Sequence, residues 1–253
     1  LVDGPAGKAV YTQLCNARGG IEADVTLVHL SDDLVWLVTG SGFGVRDSAW
    51  VHAHLPDGVS IREITNSIAT LNICGPRSRD VLQSVSDDDL SSDAFSFLAA
   101  RWIEIGNARA LAVRIGYVGE LGWELYIPQE YAAQVYETLL DAGEAHGIVD
   151  AGYRAIESCR LEKGYLYWSA DITPYTSPYE AGLGFAVALD KGDFIGRDAL
   201  VRAKSEGAKR KLVALAVEGF APFHSGETVV VEVRPVGQLT SAGYGHHLGK
   251  TIG

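Results

Sequence analysis

Hydrophobic and polar residues alternate along the start of the chain in the manner of an antiparallel sheet. Segments rich in apolar, aromatic and β-branched residues at 10–14, 25–30 and 34–38 have the length and composition of strands. Segments rich in polar residues and glycine, at 16–20 and 32–33, separate these runs where the chain must reverse. The pattern therefore predicts a three-stranded meander.

The rest of the chain mixes strand and helix patterns. We predict helices at residues 47–55, 130–145 and 151–162, a helix that begins after Pro76, and a short helix within 192–209. We predict strands near residues 59–65, 69–74, 101–105, 110–115, 123–127, 212–217, 228–233 and 237–242. This order favours a strand-rich α+β fold over a doubly wound parallel sheet. Charge and glycine cluster near 205–209, which predicts a boundary between domains at 1–205 and 206–253.

The composition is that of a folded, acidic protein. Of 253 residues, 47% are hydrophobic and 21% are charged, and 21 Lys+Arg against 32 Asp+Glu give a net charge of −11. The hydrophobic content excludes a disordered chain. No apolar run of about 18 residues occurs, so no membrane span is expected. An acidic chain without a basic block is not expected to bind nucleic acid.

The cysteine residues indicate the cellular compartment, and the absence of methionine indicates how much of the protein the sequence covers. Cys15, Cys74 and Cys159 lie far apart without CxxC spacing, which excludes a zinc ribbon and disfavours a disulfide framework. We therefore expect a reducing compartment, the cytoplasm or a mitochondrial matrix. The sequence contains no methionine, not even at position 1, and no targeting signal. These features predict a piece of a longer product.

Generic catalytic motifs are absent from the sequence. It has no P-loop, no HExxH helix and no GxSxG elbow. His246 and His247 are adjacent, so on a strand their side chains point apart and joint metal binding is not expected. The sequence therefore predicts no metal site.

The most specific motif is GYVGELGWEL at residues 116–125. Its glycines predict a tight loop, and a strand leads away from it with Glu124 near the start. A carboxylate there can accept paired hydrogen bonds from a planar, amidine-like edge such as that of a pterin. Tyr117 can stack on a ring or donate a hydrogen bond. A glycine turn with a solvated glutamate is the alternative interpretation.

Three further blocks accompany this motif, at residues 16–24, 160–197 and 224–245. In this order and spacing, the four blocks resemble the aminomethyltransferase family, typified by the glycine cleavage T-protein, over nearly the whole chain. The resemblance implies an α+β, folate-binding cloverleaf of three domains with a C-terminal β-barrel. It also implies that an N-terminal part and the last C-terminal strand of that fold are missing from this sequence.

Details of the sequence favour one branch of that family. The segment EKGY at 162–165, Trp168 and the run at 178–185 resemble the folate domain of sarcosine and dimethylglycine dehydrogenases. In those proteins the domain follows an FAD-dependent domain, so FAD is implied only for an upstream region. Ile156 replaces an arginine that contacts folate in T-proteins. The alternatives are a T-protein proper, a folate-dependent demethylase of the same fold and a non-catalytic folate-binding module.

The resemblance implies transfer of a one-carbon unit from a glycine-, sarcosine- or dimethylglycine-derived donor to tetrahydrofolate, giving 5,10-methylenetetrahydrofolate. Asp24 matches the catalytic aspartate of the family. Glu124 matches its pterin-binding carboxylate, and Tyr117 matches the aromatic partner of that carboxylate. Trp168 is expected either to stack on folate or to pack in the core.

The resemblance also implies partners for the folate tail and for the whole chain. The glutamyl tail of folate is anionic, so an acidic protein must meet it with local cations. Arg160 is the expected cation, and Arg154 and Lys163 are alternatives. Expected partners are folate, a small amine-derived donor, and an FAD-dehydrogenase domain or lipoyl carrier protein, with a homo-oligomer as a further expectation.

Overall fold

A computed structural model describes residues 5–253 of the chain, which form two compact units. Unit 1 contains the chain up to Val10 together with Thr26–Asp150. Unit 2 contains Tyr11–Val25 and Ala151–Gly253. The division falls within the first two strands, so each of these strands contributes residues to both units.

The described residues form strands and helices in an irregular order. The strands are β1 (Lys8–Cys15), β2 (Ile21–Ser31), β3 (Leu34–Val38), β4 (Ile68–Cys74), β5 (Ala100–Ile105), β6 (Ala108–Val113), β7 (Gly122–Pro128), β8 (Ala216–Glu218), β9 (Thr228–Val231), β10 (Arg234–Gln238), β11 (Gly243–Gly245) and β12 (Lys250–Ile252). The helices are α1 (Gly44–His52), α2 (Ser78–Ser84), α3 (Ala132–Gly143), α4 (Tyr153–Lys163) and α5 (Arg197–Glu206). Short 3₁₀ helices occupy Thr65–Ser67, Gln129–Tyr131, Glu144–His146 and Gly184–Ala186.

Unit 1 is built on a four-stranded antiparallel sheet in the order β4-β7-β6-β5. Side chains alternate between the two faces of β7. Trp123, Leu125 and Ile127 enter the larger hydrophobic core, to which α2 and α3 also contribute. Glu124 and Tyr126 therefore lie on the opposite face.

That opposite face packs against a smaller core of unit 1. Its buried members are Ala9, Val28, Ala100, Leu111, Val113 and Tyr126. The ring of Trp36, on β3, meets the ring of Tyr126 edge-on with 6.0 Å between centroids. Glu124 thus leaves the sheet beside an apolar environment.

Unit 2 combines α4 and α5 with a sheet in the order β11-β12-β8 and the hairpin β9–β10. Helix α4 ends at Lys163 and is followed by Gly164, whose φ of +74° is the left-handed conformation that glycine adopts at little cost. A hydrophobic core joins the start of β2 to the segment after α4; its buried members are Ile21, Ile172, Ala181 and Leu183. None of the described helices combines the length and the apolar character needed to cross a membrane.

Most of the predicted elements are confirmed. The turns of the meander, the β5–β6 hairpin, and helices α3 and α4 lie within a few residues of their predicted positions. The antiparallel pairings also confirm the α+β class. The predicted boundary after residue 205 coincides with the end of α5 and stays a prediction.

The predicted strand at residues 59–65 is wrong. This segment is irregular and leads into the 3₁₀ helix Thr65–Ser67. Its apolar residues are Val59, which is exposed, and Ile61 and Ile64, which are only half-buried, and no described strand pairs with them. A segment with strand-like composition forms a strand only where a neighbour supplies the hydrogen bonds.

The predicted strand at 237–242 is also wrong in position. The chain reverses at Glu232, whose φ is +58°, and returns as β10, with Arg234 opposite Val231. Because the chain turns several residues before the predicted strand begins, the return strand ends at Gln238.

Two other elements are displaced from their predictions. Helix α1 begins at Gly44 instead of residue 47, so the last residue of the glycine-rich link is its first helical residue. Strand β8 covers only the end of the predicted segment 212–217. The earlier residues make other backbone hydrogen bonds: Leu212 N–H donates to the carbonyl of Glu180, and Leu215 exchanges hydrogen bonds with Gly253.

Candidate active site

The turn between β1 and β2, in unit 2, is held by the side chain of Asn16. Its Oδ1 accepts hydrogen bonds from the backbone N–H groups of Arg18 (2.9 Å) and Gly20 (3.1 Å). Gly19 has a φ of +79°, a conformation that favours glycine. The turn predicted at residues 16–20 is confirmed, and it fixes where β2 begins.

Gly20 lies where no side chain fits. A Cβ at this position would lie 1.9 Å from the carbonyl oxygen of Pro174. The same carbonyl accepts a hydrogen bond from Asn16 Nδ2 (2.9 Å), and Ile21 N–H donates to the carbonyl of Thr176 (3.0 Å). The start of β2 is therefore fastened to the segment that follows α4.

Asp24 lies on β2, four residues after Gly20. Ile21, Ala23 and Val25 are buried, whereas Asp24 is half-buried on the alternate face. The hydroxyl of Tyr11, on β1, donates a hydrogen bond to Asp24 Oδ2 (3.2 Å). The backbone ladder and this hydroxyl together set the direction of the carboxylate, and its catalytic role stays a prediction.

Trp168 is attached to the same strand. Its Nε1 donates a hydrogen bond to the carbonyl of Ile21 (3.1 Å), three residues before Asp24. Its ring packs against the unit 2 core but is only half-buried. The structure thus gives Trp168 the predicted packing role, and contact with folate stays a prediction.

Arg160, on α4, is 1% exposed and bonded on several sides. Its Nη1 donates to Asp171 Oδ2 (2.7 Å) and to the carbonyl of Tyr165 (2.9 Å). Its Nη2 donates to Ser241 Oγ (2.7 Å) and to the carboxylate of Glu157. The guanidinium of Arg160 therefore already joins several parts of unit 2. Its predicted contact with folate stays a prediction.

Asp171 is the centre of this network, and sequence reasoning did not assign it a role. Oδ1 accepts hydrogen bonds from Thr240 Oγ1 (2.5 Å) and Ser241 Oγ (2.8 Å). Oδ2 accepts from Arg160 and from the backbone N–H of Tyr167 (2.8 Å). The Arg160–Asp171 pair therefore shapes the loop that carries Trp168. In the sequence, the signal that could have indicated this pair was an acidic residue, Asp171, shortly after an arginine in a predicted helix.

The glycine loop of the GYVGELGWEL motif lies in unit 1 and leads into β7. Gly119 has a φ of +74°. A Cβ on Gly122 would lie 2.5 Å from the carbonyl oxygen of Ile73, so only glycine lets β7 approach β4 at this point. The tight loop is confirmed. Tyr117 lies within it and is 37% exposed.

Glu124 is held by a neighbour on its own strand. The hydroxyl of Tyr126 donates a hydrogen bond of 2.5 Å to Glu124 Oε2. Across the sheet, Glu124 lies opposite Asn72 of β4 and Val113 of β6. Sequence reasoning missed Tyr126, although its position two residues further on the same strand face was a sufficient signal.

Burial controls the ionisation of this pair. Loss of solvent raises the pKa of Glu124 above its ordinary value of 4.5, and the hydrogen bond from Tyr126 offsets only part of that rise. Burial and the adjacent carboxylate also raise the pKa of the Tyr126 hydroxyl well above its ordinary value. The ionised carboxylate is therefore less stable in the fold than in water, and a hydrogen-bonding ligand would relieve this cost.

Replacing Glu124 by glutamine should change stability in a pH-dependent way. Because the folded pKa lies above the unfolded one, the parent loses stability as pH rises through the folded value. We expect the two proteins to be similar near pH 4 and Glu124→Gln to be the more stable at pH 8. Urea unfolding at both pH values measures this. If the parent instead became more stable relative to the variant as pH rises, the predicted direction of the pH dependence would be wrong.

Two family matches account for most of the chain. Residues 1–191 match the family described as the GCVT N-terminal domain, and residues 210–253 match the glycine cleavage T-protein C-terminal barrel domain. The chain belongs to the glycine cleavage T-protein family. The resemblance seen in the four sequence blocks is confirmed.

Relatives of this T-protein family chain include both dehydrogenases and transferases. Mitochondrial sarcosine dehydrogenase of Mus musculus is 36% identical, over 99% of this chain and 29% of its own length. Mitochondrial dimethylglycine dehydrogenase of Rattus norvegicus is 36% identical, over 95% of this chain and 29% of its own. An aminomethyltransferase of Thermotoga neapolitana is 36% identical, over 98% of this chain and 68% of its own. The chain therefore spans less than a third of these two dehydrogenases.

A solved T-protein structure confirms the fold. The glycine cleavage system aminomethyltransferase T from Bartonella henselae matches with a TM-score of 0.84 and 26% identity. The match covers 99% of this chain and 68% of that one. The predicted aminomethyltransferase fold is therefore the fold of this chain.

Proposed function

We propose that this chain binds tetrahydrofolate and transfers to it a one-carbon unit from an amine-derived donor, forming 5,10-methylenetetrahydrofolate. The observation that carries the proposal occurs once in each unit, and it is a half-buried carboxylate held by a tyrosine hydroxyl. Asp24 is held by Tyr11, and Glu124 is held by Tyr126. Family membership and the names of the relatives support it.

In this proposal Glu124 binds the pterin ring. A carboxylate can accept several hydrogen bonds, so Tyr126 leaves acceptor capacity for two parallel N–H groups. The guanidine-like edge of the pterin supplies such a pair. Binding would restore the solvation that burial removes from Glu124, and the approach of a donor edge would lower its raised pKa. Tyr117 would contact the ring from the glycine loop.

Asp24 would act at the reacting nitrogen. When one folate nitrogen attacks the donor carbon, it gains positive charge and must lose a proton. The second folate nitrogen then displaces the donor amine, whose bond to the carbon breaks and which leaves with a proton. A carboxylate fixed nearby stabilises that charge and can accept the proton. Tyr11 would keep Asp24 in place, and the half-buried ring of Trp168 would contact folate. Arg160 would act through the loop that it shapes together with Asp171.

The finer expectations about the whole protein belong to the same proposal. An FAD-dehydrogenase domain on the same chain would supply an iminium donor, and a lipoyl carrier protein would supply an aminomethyl donor. The mitochondrial dehydrogenase relatives support the first of these arrangements and, in a eukaryote, a matrix location. We propose functional segments at 1–205 and 206–253, the latter containing the barrel match at 210–253.

Calorimetric titration with folinic acid, a stable reduced folate, tests the proposal. We expect Glu124→Ala to weaken binding by about 10- to 100-fold, because hydrogen bonds to a charged group are lost. Glu120→Ala, an exposed change in the same loop, should bind like the parent. Circular dichroism would establish that each variant is folded. A folded parent that does not bind folinic acid would overturn the proposal.

A further inference from the structure

Two guanidinium groups in unit 1 lie against the same indole ring. The guanidinium carbon of Arg79, on α2, lies 5.7 Å from the ring centroid of Trp123, and that of Arg114 lies 5.9 Å from it. Arg114 directly follows β6, and Trp123 is the second residue of β7. The two arginines therefore meet where the glycine loop leaves the sheet and returns to it.

Neither of these two arginines is neutralised by a carboxylate. Arg77, two residues before Arg79, pairs with Asp80 (2.8 Å). Over the described range 5–253, no carboxylate lies within ion-pair distance of Arg79 or Arg114. Burial and the positive charge of Arg79 both lower the pKa of Arg114 below its ordinary value. The fold thus holds two like charges close together, and an anion between them would relieve both effects.

The same place contains two enclosed N–H groups that lack an acceptor. Nε of Arg79 and Nε1 of Trp123 are buried, and neither has a hydrogen-bond partner among the residues that the structure describes. Trp123 as a whole is only 1% exposed. Arg114 uses Nη1 to donate to the carbonyl of Phe95 (2.6 Å), and its guanidinium has further N–H groups. Because an enclosed donor without an acceptor is costly, these groups indicate a missing partner.

A phosphate group has the charge and the acceptors that this place requires. It carries a charge of about −1.5 to −2 at neutral pH and offers three acceptor oxygens, and arginine forks bind it through paired N–H groups. A carboxylate carries a single charge and would leave one of the two cations unpaired. Arg79 and Arg114 are half-buried and Trp123 is enclosed, so the charged head of a ligand can enter while the rest of it stays outside.

This place is separate from the carboxylate proposed to bind the pterin. Trp123 enters the larger core of unit 1, whereas Glu124 lies on the opposite face of β7. The two ligands would therefore not compete for the same side chains. An anion held by Arg114 and Trp123 would contact both ends of the glycine loop and restrain it, and this loop carries Tyr117.

We propose that Arg79, Arg114 and the indole N–H of Trp123 form a binding site for a phosphate group, supplied as inorganic phosphate or as a small phosphate monoester. The two guanidinium groups provide the charge, and the indole N–H fixes one phosphate oxygen. This site goes beyond the function proposed above and does not depend on it.

Calorimetric titration with inorganic phosphate at constant ionic strength tests the site. We expect saturable binding by the parent and an affinity about tenfold weaker in Arg79→Gln, because hydrogen bonds to a charged group are lost. Trp123→Phe keeps an aromatic ring in the core but removes the N–H, so we expect a loss of about fivefold. Arg77→Gln removes an exposed positive charge two residues away and should bind like the parent. Circular dichroism would establish that each variant is folded.

Two further ligands define what the site recognises. Glycerol phosphate tests the monoester: if it binds as tightly as inorganic phosphate, the site accepts a phosphate group on a larger molecule, and if it does not bind, the site holds the free ion. Both results support the site and distinguish its two sources. Acetate at the same ionic strength should bind at least about tenfold more weakly, since it has one charge.

Several outcomes would overturn this inference. A folded parent without saturable phosphate binding would do so, as would an Arg79→Gln variant that binds phosphate like the parent. Equal losses in Arg77→Gln and Arg79→Gln would show a general effect of net charge instead of a site. Acetate that binds as tightly as phosphate would contradict the assigned ligand class. Because no folate enters this experiment, its failure would leave the proposed function standing.

Discussion

Replacing Asp171 by alanine should lower the free energy of unfolding by about 3–5 kcal/mol, because it leaves a buried guanidinium without its carboxylate. Asp171 and Arg160 are both almost fully enclosed, with side-chain exposures of 4% and 1%. The same change leaves the hydroxyls of Thr240 and Ser241 without their acceptor. Urea unfolding at neutral pH measures the loss.

The other carboxylate partner of Arg160 provides a matched control. Glu157 pairs with the same guanidinium, but its side chain is 51% exposed. Water can therefore replace it, and Glu157→Gln should cost no more than about 1 kcal/mol. Similar costs for Glu157→Gln and Asp171→Ala would mean that the buried pair is not the dominant contact of Arg160.

Replacing Asp24 by alanine should reduce the rate of 5,10-methylenetetrahydrofolate formation by about 10²- to 10⁴-fold, the range expected for a positioned acid–base group. Folinic acid affinity should change little, because Glu124 provides the anchoring carboxylate in the proposed function. The assay supplies tetrahydrofolate and an amine-derived donor, with the uncatalysed reaction subtracted.

Two further variants serve as controls for the effect of Asp24→Ala on the rate. Tyr11→Phe keeps the carboxylate but removes the hydroxyl that orients it, so we expect a smaller loss of about tenfold. Asp33→Ala removes an exposed carboxylate from the turn after β2 and should leave the rate unchanged. An Asp24→Ala variant with the parent rate would assign the chemistry to another group.

The sequence predicted those features that are local in origin. The Asn16–Gly20 turn and the GYVGELGWEL loop consist of residues whose backbone preferences decide the conformation, and both are found where expected. The strand at 123–127 was also predicted, and the structure shows that Glu124 and the core residues of β7 face opposite ways. The carboxylates at Asp24 and Glu124 were identified through family resemblance, which spacing alone could not have provided.

Features that depend on distant residues could not be predicted. The β-branched residues at 59–65 were a local signal for a strand, but no described strand pairs with this segment. Arg160 was expected at a ligand because the anionic folate tail requires a cation, whereas its enclosure depends also on Ser241, 81 residues further along the chain. Arg18 was predicted only as part of a turn, because Pro174, Tyr175 and Glu180, which line a cavity beside it, lie more than 150 positions away.

The hydrogen bonds of Asp171 also decide how this protein can be divided. Thr240 and Ser241 lie 69 and 70 residues further along the chain, beyond the predicted boundary at residue 205. A fragment ending at that boundary would enclose a carboxylate and a guanidinium that lack these hydroxyls. Gene fusion and domain shuffling would therefore have to carry the two segments together, since neither half of the network is complete without the other.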